Sequence, residues 1–241
     1  PSCSQVCPKI KVSSSNEWRP NRPPAFFEGI RSIKSALDQN PNDLNLRIWH
    51  SVFKGMRENG NGSETPLFPT KGSSGFAHAG WAICQFHGFD PKTFIQYCDR
   101  YFDFYCKHGG TTAASAAGCT AETGVAGAAS AAALTRLMGG TDEHANAASQ
   151  MMLEAIESLS CLPDGGSVTT PCTERNATFS IMAKAAAEHV IQYNLSSSKE
   201  DLIDTIQDCV KTGYEIPETF KETNDTYGLY LQEQRDPVQV L

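Results

Sequence analysis

The stretch from Glu122 to Met138 is built mostly of Ala, Gly, Ser and Thr. Side chains that small let neighbouring backbones come close, which predicts a central helix buried on every side, with Gly139-Gly140 as its stop. Further helices must pack directly against it. Extending the window back to Ala113 gives the nearest approach to a membrane span, yet Glu122 and many small polar residues interrupt it, and no run of about 18 apolar residues occurs. No membrane span is expected.

Amphipathic patterns flank this segment. Phe27, Ile30, Ile33 and Leu37 recur at helical spacing over Ala25 to Asp38, and Leu46, Trp49, Val52, Phe53 and Met56 over Leu44 to Arg57. Asp90-Pro91 joins an N-cap residue to a proline at the first helical position. It predicts a helix to about Lys107, ended by Gly109-Gly110, with Phe94, Tyr97, Cys98, Tyr101, Phe102 and Tyr105 facing inward. Thr141 with Asp142 and Glu143 opens a helix to about Leu159, and Arg175 to Tyr193 reads as another. Ser198-Lys199-Glu200-Asp201 is a capping start for Leu202 to Thr212, which Gly213 closes. Strand patterning is scarce, so the expected fold is all-α: one compact multi-helix domain over residues 25–241, preceded by an extended N-terminal arm over residues 1–24 that is rich in Ser, Pro and Asn.

The formal charge is −7 and Lys/Arg clusters are absent, which argues against a nucleic-acid partner. Residues 199–236 hold ten acidic side chains against four basic ones, a solvated acidic face on the late helices. Nine cysteines are an odd number in a chain long enough to bury its own core, and they suit reduced thiols or metal ligands better than a disulfide framework. The cytoplasm or an organelle interior is favoured over secretion, although Asn-x-Ser/Thr patterns begin at Asn61, Asn176, Asn194 and Asn224. Residues 1–30 lack an apolar core, so no signal peptide is expected within them. Cys3 and Cys7 form a C-x3-C pair that suits a disulfide or half of a zinc site.

Three cysteines have distinctive settings: Gly118-Cys119-Thr120-Ala121-Glu122-Thr123-Gly124, then Ser160-Cys161-Leu162-Pro163-Asp164-Gly165-Gly166, then Pro171-Cys172-Thr173-Glu174-Arg175-Asn176. They lie 42 and 11 residues apart, which matches neither a zinc-ribbon pair nor a ferredoxin run. Chemistry alone leaves the set open between a soft-metal site and ordinary buried cysteines. Pro69-Thr70-Lys71-Gly72-Ser73-Ser74-Gly75 precedes an apolar segment from Phe76 to Phe86. Backbone N–H groups at such a helix start suit a carboxylate or another anion, while a turn that merely caps the helix is the plainer reading.

These motifs resemble the α chain, or α domain, of the iron–sulfur L-serine dehydratases. Gly118-Cys119-x-Ala121-Glu122-x-Gly124 with Met138-Gly139-Gly140-Thr141 is similar to that family's G-C-x-x-E-x-G and M-G-G-T elements. Cys161 with Gly166 and Val168, then Pro171-Cys172-x-Glu174-Arg175-Asn176-Ala177, is similar to its C-D-P-x-x-G-x-V and P-C-x-x-R-N-A elements. Pro69-Thr70-x-Gly72-Ser73-Ser74-Gly75 resembles P-T-N-G-[AS]-[AS]-G, and the likeness runs from about residue 65 to 231.

The resemblance implies that Cys119, Cys161 and Cys172 hold a [4Fe–4S] cluster whose fourth iron is left for substrate, zinc or no metal being the alternative. It implies β-elimination of water from L-serine to give pyruvate and ammonia, and a substrate-binding set of Thr70, Ser73, Ser74, Arg175 and Asn176. Arg175 would pair with the substrate carboxylate or orient a ligand loop, or else serve as a helix-start arginine bonded to backbone. Three departures stand beside these matches. The S-S-H-T element that the family carries on a β chain or β domain is missing, so a β-type subunit or a larger assembly is an expected partner. Residues 210–241 contain no cysteine to occupy the open iron, which leaves it open or turns it to Cys98, Cys106 or Cys209. Cys161-Leu162-Pro163 and residues 109–117 also differ from the family pattern. The second reading is accordingly a non-catalytic descendant that serves as a structural or accessory subunit. Of the histidines, His78 is the one placed near the site, with a structural role as its plainer reading.

Overall fold

The computed structural model describes residues 23–60, 68–70, 72–160, 169–217 and 220–221. The arm expected over residues 1–24, with Cys3 and Cys7, lies outside them apart from Pro23 and Pro24. The described residues form nine α-helices and one π-helical turn, with no strand among them, as the sequence pattern predicts. In chain order the helices are α1 (Pro23–Gln39), α2 (Leu44–Gly60), α3 (Gly75–His87), α4 (Pro91–Lys107), α5 (Ala114–Cys119), the π-turn (Thr120–Gly124), α6 (Val125–Leu137), α7 (Asp142–Ile156), α8 (Thr169–Gln192) and α9 (Lys199–Glu215).

Helix α6 is the axis. Every residue from Val125 to Thr135 is buried, and α7, α4, α8 and α3 all pack on it. Its hydroxyls are satisfied without water: Ser130 Oγ and Thr135 Oγ1 each donate to the carbonyl four residues back, both at 2.7 Å. Gly127 shows how close the neighbours stand, since a Cβ there would lie 3.0 Å from Met152 Cε on α7. The aromatic side of α4 closes one flank of α6, with Phe94, Cys98, Tyr101 and Tyr105 buried and Tyr97 and Phe102 partly so. Ile48, Val52 and Phe53 of α2 complete the same core.

Local capping chemistry sets the helix starts. Asp90 accepts from the N–H groups of Lys92 and Thr93, each at 3.2 Å, with Pro91 opening α4. Thr141 caps α7 and Ser198 caps α9, each within a reciprocal box, His144 and Asp201 being the partners. Two boundaries differ from the sequence reading. Helix α8 starts at Thr169, not near Arg175, because Pro171 sits in the first turn, where no intrahelical N–H bond is lost. Helix α9 continues through Gly213 to Glu215. That glycine is a packing residue: a Cβ on it would come within 2.6 Å of Ala117 Cβ.

Candidate metal centre

The thiol segment sits where the backbone departs from regular helix. Ala117 (φ −136°, ψ 25°) and Gly118 (φ 62°, ψ −156°) break α5, and the second of these conformations is open essentially to glycine alone. Directly after the break comes Cys119, whose side chain is 0% exposed, and then the π-turn, a feature frequent at functional sites. Thr120 ties this segment to the end of α7: its hydroxyl donates to Ile156 O at 3.1 Å and accepts from Leu159 N at 2.9 Å. The chain that leaves α7 is thereby fixed just before Ser160.

Arg175, on the second turn of α8, joins these two chain segments. Its Nη1 donates to Cys119 Sγ at 3.0 Å and to Ser160 O at 2.8 Å. A guanidinium against a sulfur stabilises negative charge there. Cys172 precedes Arg175 by three residues, hence on the same face of α8, and is 2% exposed. Cys161 follows Ser160 in the chain and lies outside the described residues, and among those residues no group of three His, Cys, Asp or Glu side chains is placed to hold a metal ion. The described part thus supplies two buried sulfurs and a cation beside one of them, a donor set suited to a soft metal or an iron–sulfur cluster.

The Gly/Ser element lies against the same backbone. The Phe68–Pro69 peptide bond is cis. Thr70 Oγ1 donates to Glu122 Oε1 and lies 3.0 Å from Ser73 Oγ, while Ser73 Oγ donates to Phe68 O at 2.6 Å. Asn176 Nδ2 donates to Gly72 O at 2.9 Å and to Cys172 O at 2.7 Å. Those two bonds identify which end of the amide is nitrogen, and they leave Asn176 Oδ1 buried with no hydrogen-bond partner among the described residues. Ser74, the residue before α3, is fully buried. The structure therefore brings Thr70, Ser73, Ser74, Arg175, Asn176, Cys119 and Cys172 onto adjoining elements.

Glu122 belongs to this group; the sequence pattern places it in the G-C-x-x-E-x-G element and assigns it no role. A signal was available: no other Asp, Glu, Lys or Arg occurs between Lys107 and Arg136. The remaining cysteines are placed differently. Cys98 donates to Ala129 O at 3.5 Å in the core, and Cys106 is exposed. Burial, with help from Glu157, Glu154 and Asp208, pushes the Cys209 thiol up to about 12, and burial with Asp90 pushes Cys84 up to about 11, so both stay protonated at neutral pH. His78 is half-buried on α3, and its ring lies over Gly55 of α2.

Residues 26–229 match the family described as serine dehydratase alpha chain. The chain belongs to that family. It is 28% identical over 226 residues to L-serine dehydratase 1 of Escherichia coli (strain K12), a match that covers 90% of this chain and 49% of that protein. The probable L-serine dehydratase alpha chain of Latilactobacillus sakei is 30% identical over 134 residues, 56% of this chain and 63% of that one. The corresponding alpha chain of Bacillus subtilis (strain 168) is 32% identical over 122 residues, 51% of this chain and 40% of that one. This member of the family spans about half the length of the curated dehydratases that it matches over most of its own length. The family match also reaches further toward the N-terminus than the motifs do, taking in nearly all of α1 and the whole of α2. No helix among the described residues is long and apolar enough to cross a membrane.

Proposed function

We propose that this chain is the α-type part of an iron–sulfur L-serine dehydratase, which with a β-type chain or domain eliminates water from L-serine or a similar small β-hydroxy amino acid. The products are pyruvate and ammonia. The observation that carries the reading is the Arg175 bridge: one nitrogen reaches both Cys119 Sγ and the carbonyl of Ser160, the residue before Cys161, from a helix that also bears Cys172. Cys119, Cys161 and Cys172 would hold a [4Fe–4S] cluster. When bound, that cluster supplies a Lewis-acidic iron that stabilises charge on the departing hydroxyl oxygen.

The chain's own residues bind and orient. A hydroxyl has one proton to donate, and those of Thr70 and Ser73 go to Glu122 and Phe68 O, so these two side chains shape the turn. The substrate carboxylate then falls to backbone N–H groups of this turn rather than to its hydroxyls. Asn176 Oδ1 is the acceptor that remains at the turn for the ammonium group. Arg175 Nη1 holds Ser160 and one thiol, which supports an orienting role for this residue over pairing with the substrate carboxylate. Removal of the Cα proton falls to the β-type part, in keeping with the missing S-S-H-T element and with the length of the relatives. The relatives are named as dehydratases, which gives the accessory-subunit alternative no support.

The test is reconstitution without oxygen. Protein incubated with iron and sulfide is expected to turn brown and retain about four irons per chain after desalting. Adding a candidate β-type chain is expected to give pyruvate from L-serine. A chain that stays colourless under these conditions would sink the reading.

A further inference from the structure

Glu122 is 4% exposed, the one carboxylate within a segment of small neutral residues. Burying a charge is costly unless neighbours are built to receive it, and alanine would suit the surrounding helix better. One neighbour donates to it and another makes room for it. Thr70 donates its hydroxyl to Oε1, and Gly72 lies over the carboxylate so closely that a Cβ would stand 2.6 Å from both oxygens. From the other side Asn176 holds Gly72 by its carbonyl. Thr70 and Gly72 are therefore gripped by two side chains from different elements.

The spacing of the two grips is the informative part. Glu122 comes three residues after Cys119, and Asn176 four residues after Cys172. Each grip is one helical turn from a thiol, and Asn176 also bonds the carbonyl of Cys172 itself. Each cysteine is thus joined to the turn by a short hydrogen-bonded path.

We propose that Glu122 is a positioning residue: through Thr70 and Gly72 it locks the anion-binding turn to the backbone that places Cys119, so that occupancy of the turn and of the thiol centre are coupled. The coupling rests on the reading of the site given above, and by linkage it acts equally in both directions.

The experiment uses the reduced 241-residue chain without oxygen, with Co²⁺ as a probe of thiolate binding by its sulfur-to-metal absorption. Glu122→Ala and Thr70→Val are expected to weaken Co²⁺ binding by about 10-fold or more, the usual scale for partners that orient a ligand. Helix content by circular dichroism should be kept. Glu122→Gln and Thr70→Ser, which preserve an acceptor and a donor, should stay close to the parent chain. A second readout needs no metal: the rate at which Cys119 is alkylated, followed by peptide mass, should rise in the Ala and Val variants and not in the Gln and Ser variants. Ala and Val variants that match the parent in both readouts would overturn the proposal. So would a Gln variant as damaged as Ala, because the charge itself and not the grip would then be needed. If Glu122→Ala does not fold, the Thr70 pair decides alone. A parent chain that binds no Co²⁺ would count against the metal reading, and the alkylation series would still judge the grip.

Discussion

Val125–Thr135 and the stretch before it, residues 117–124, are both buried and both made mostly of small side chains, yet only the first is a regular helix. In the regular part the polar groups turn inward on the helix itself, as with Ser130 and Thr135. In the irregular part they reach outward: Thr120 to the end of α7, Glu122 to the turn before α3, and Cys119 to Arg175 on α8. A regular α-helix repeats one geometry and offers its buried hydroxyls the carbonyls of its own preceding turn. A break followed by a wide turn re-aims successive side chains at three different neighbours. The difference separates a scaffold from a site within eight residues of one another in the chain.

That separation can be broken experimentally. The largest effect is expected from Cys119→Ser: iron uptake on reconstitution should be lost while the thermal midpoint stays near that of the parent, since a serine fills almost the same space. Gly127→Leu should do the reverse. Placed against Met152 and Ile156, it should cost about 2–3 kcal/mol in urea unfolding through overpacking, with iron per folded chain unchanged. Gly118→Ala should touch both sides of the comparison, because its φ of 62° with ψ of −156° disfavours a Cβ. A loss of about 1–2 kcal/mol together with reduced iron uptake is expected. If Gly118→Ala lowers stability alone, the kink is scaffold and the comparison is drawn in the wrong place.

The smallest effect concerns a cap outside both stretches. The Thr93 hydroxyl, then the Lys92 N–H, hold the Asp90 carboxyl below its ordinary value of 3.8. A group depressed on folding stabilises fully above its unfolded value and loses that contribution as pH falls through its folded value. Asp90→Ala should therefore flatten the acid end of the stability curve, below about pH 4, and leave iron uptake at neutral pH alone. An unchanged acid limb would show the cap to be idle.

How much of this was legible depended on whether the governing contact was local. The caps at Asp90, Thr141 and Ser198 involve residues two or three apart, and all three were readable. The buried axis was readable because small side chains along a whole segment admit few other uses. Helices α1 and α2 were seen as amphipathic patterns, but they carry no motif residues and so fell outside the recognised likeness. The kink at Gly118 was not readable, since glycine also stops helices, and what sustains it includes α9, far along the chain. For the same reason Gly213 read as a terminator when it is a point of contact. Sequence leaves Arg175 open among three roles because its partners, Cys119 and Ser160, lie 56 and 15 residues away.

The contact of Gly213 with Ala117 fixes more than a distance. Helix α9 starts at a definite place, the Ser198 box, and meets the kink fifteen residues later. At 1.5 Å per residue that is a rod of about 22 Å between two fixed marks. Sliding it by one residue would present Thr212 or Tyr214 to Ala117, and neither side chain has room there. The last described helix is thus a gauge of fixed length. An insertion or deletion anywhere between Ser198 and Gly213 would be felt at Cys119 even though it touched nothing in the site.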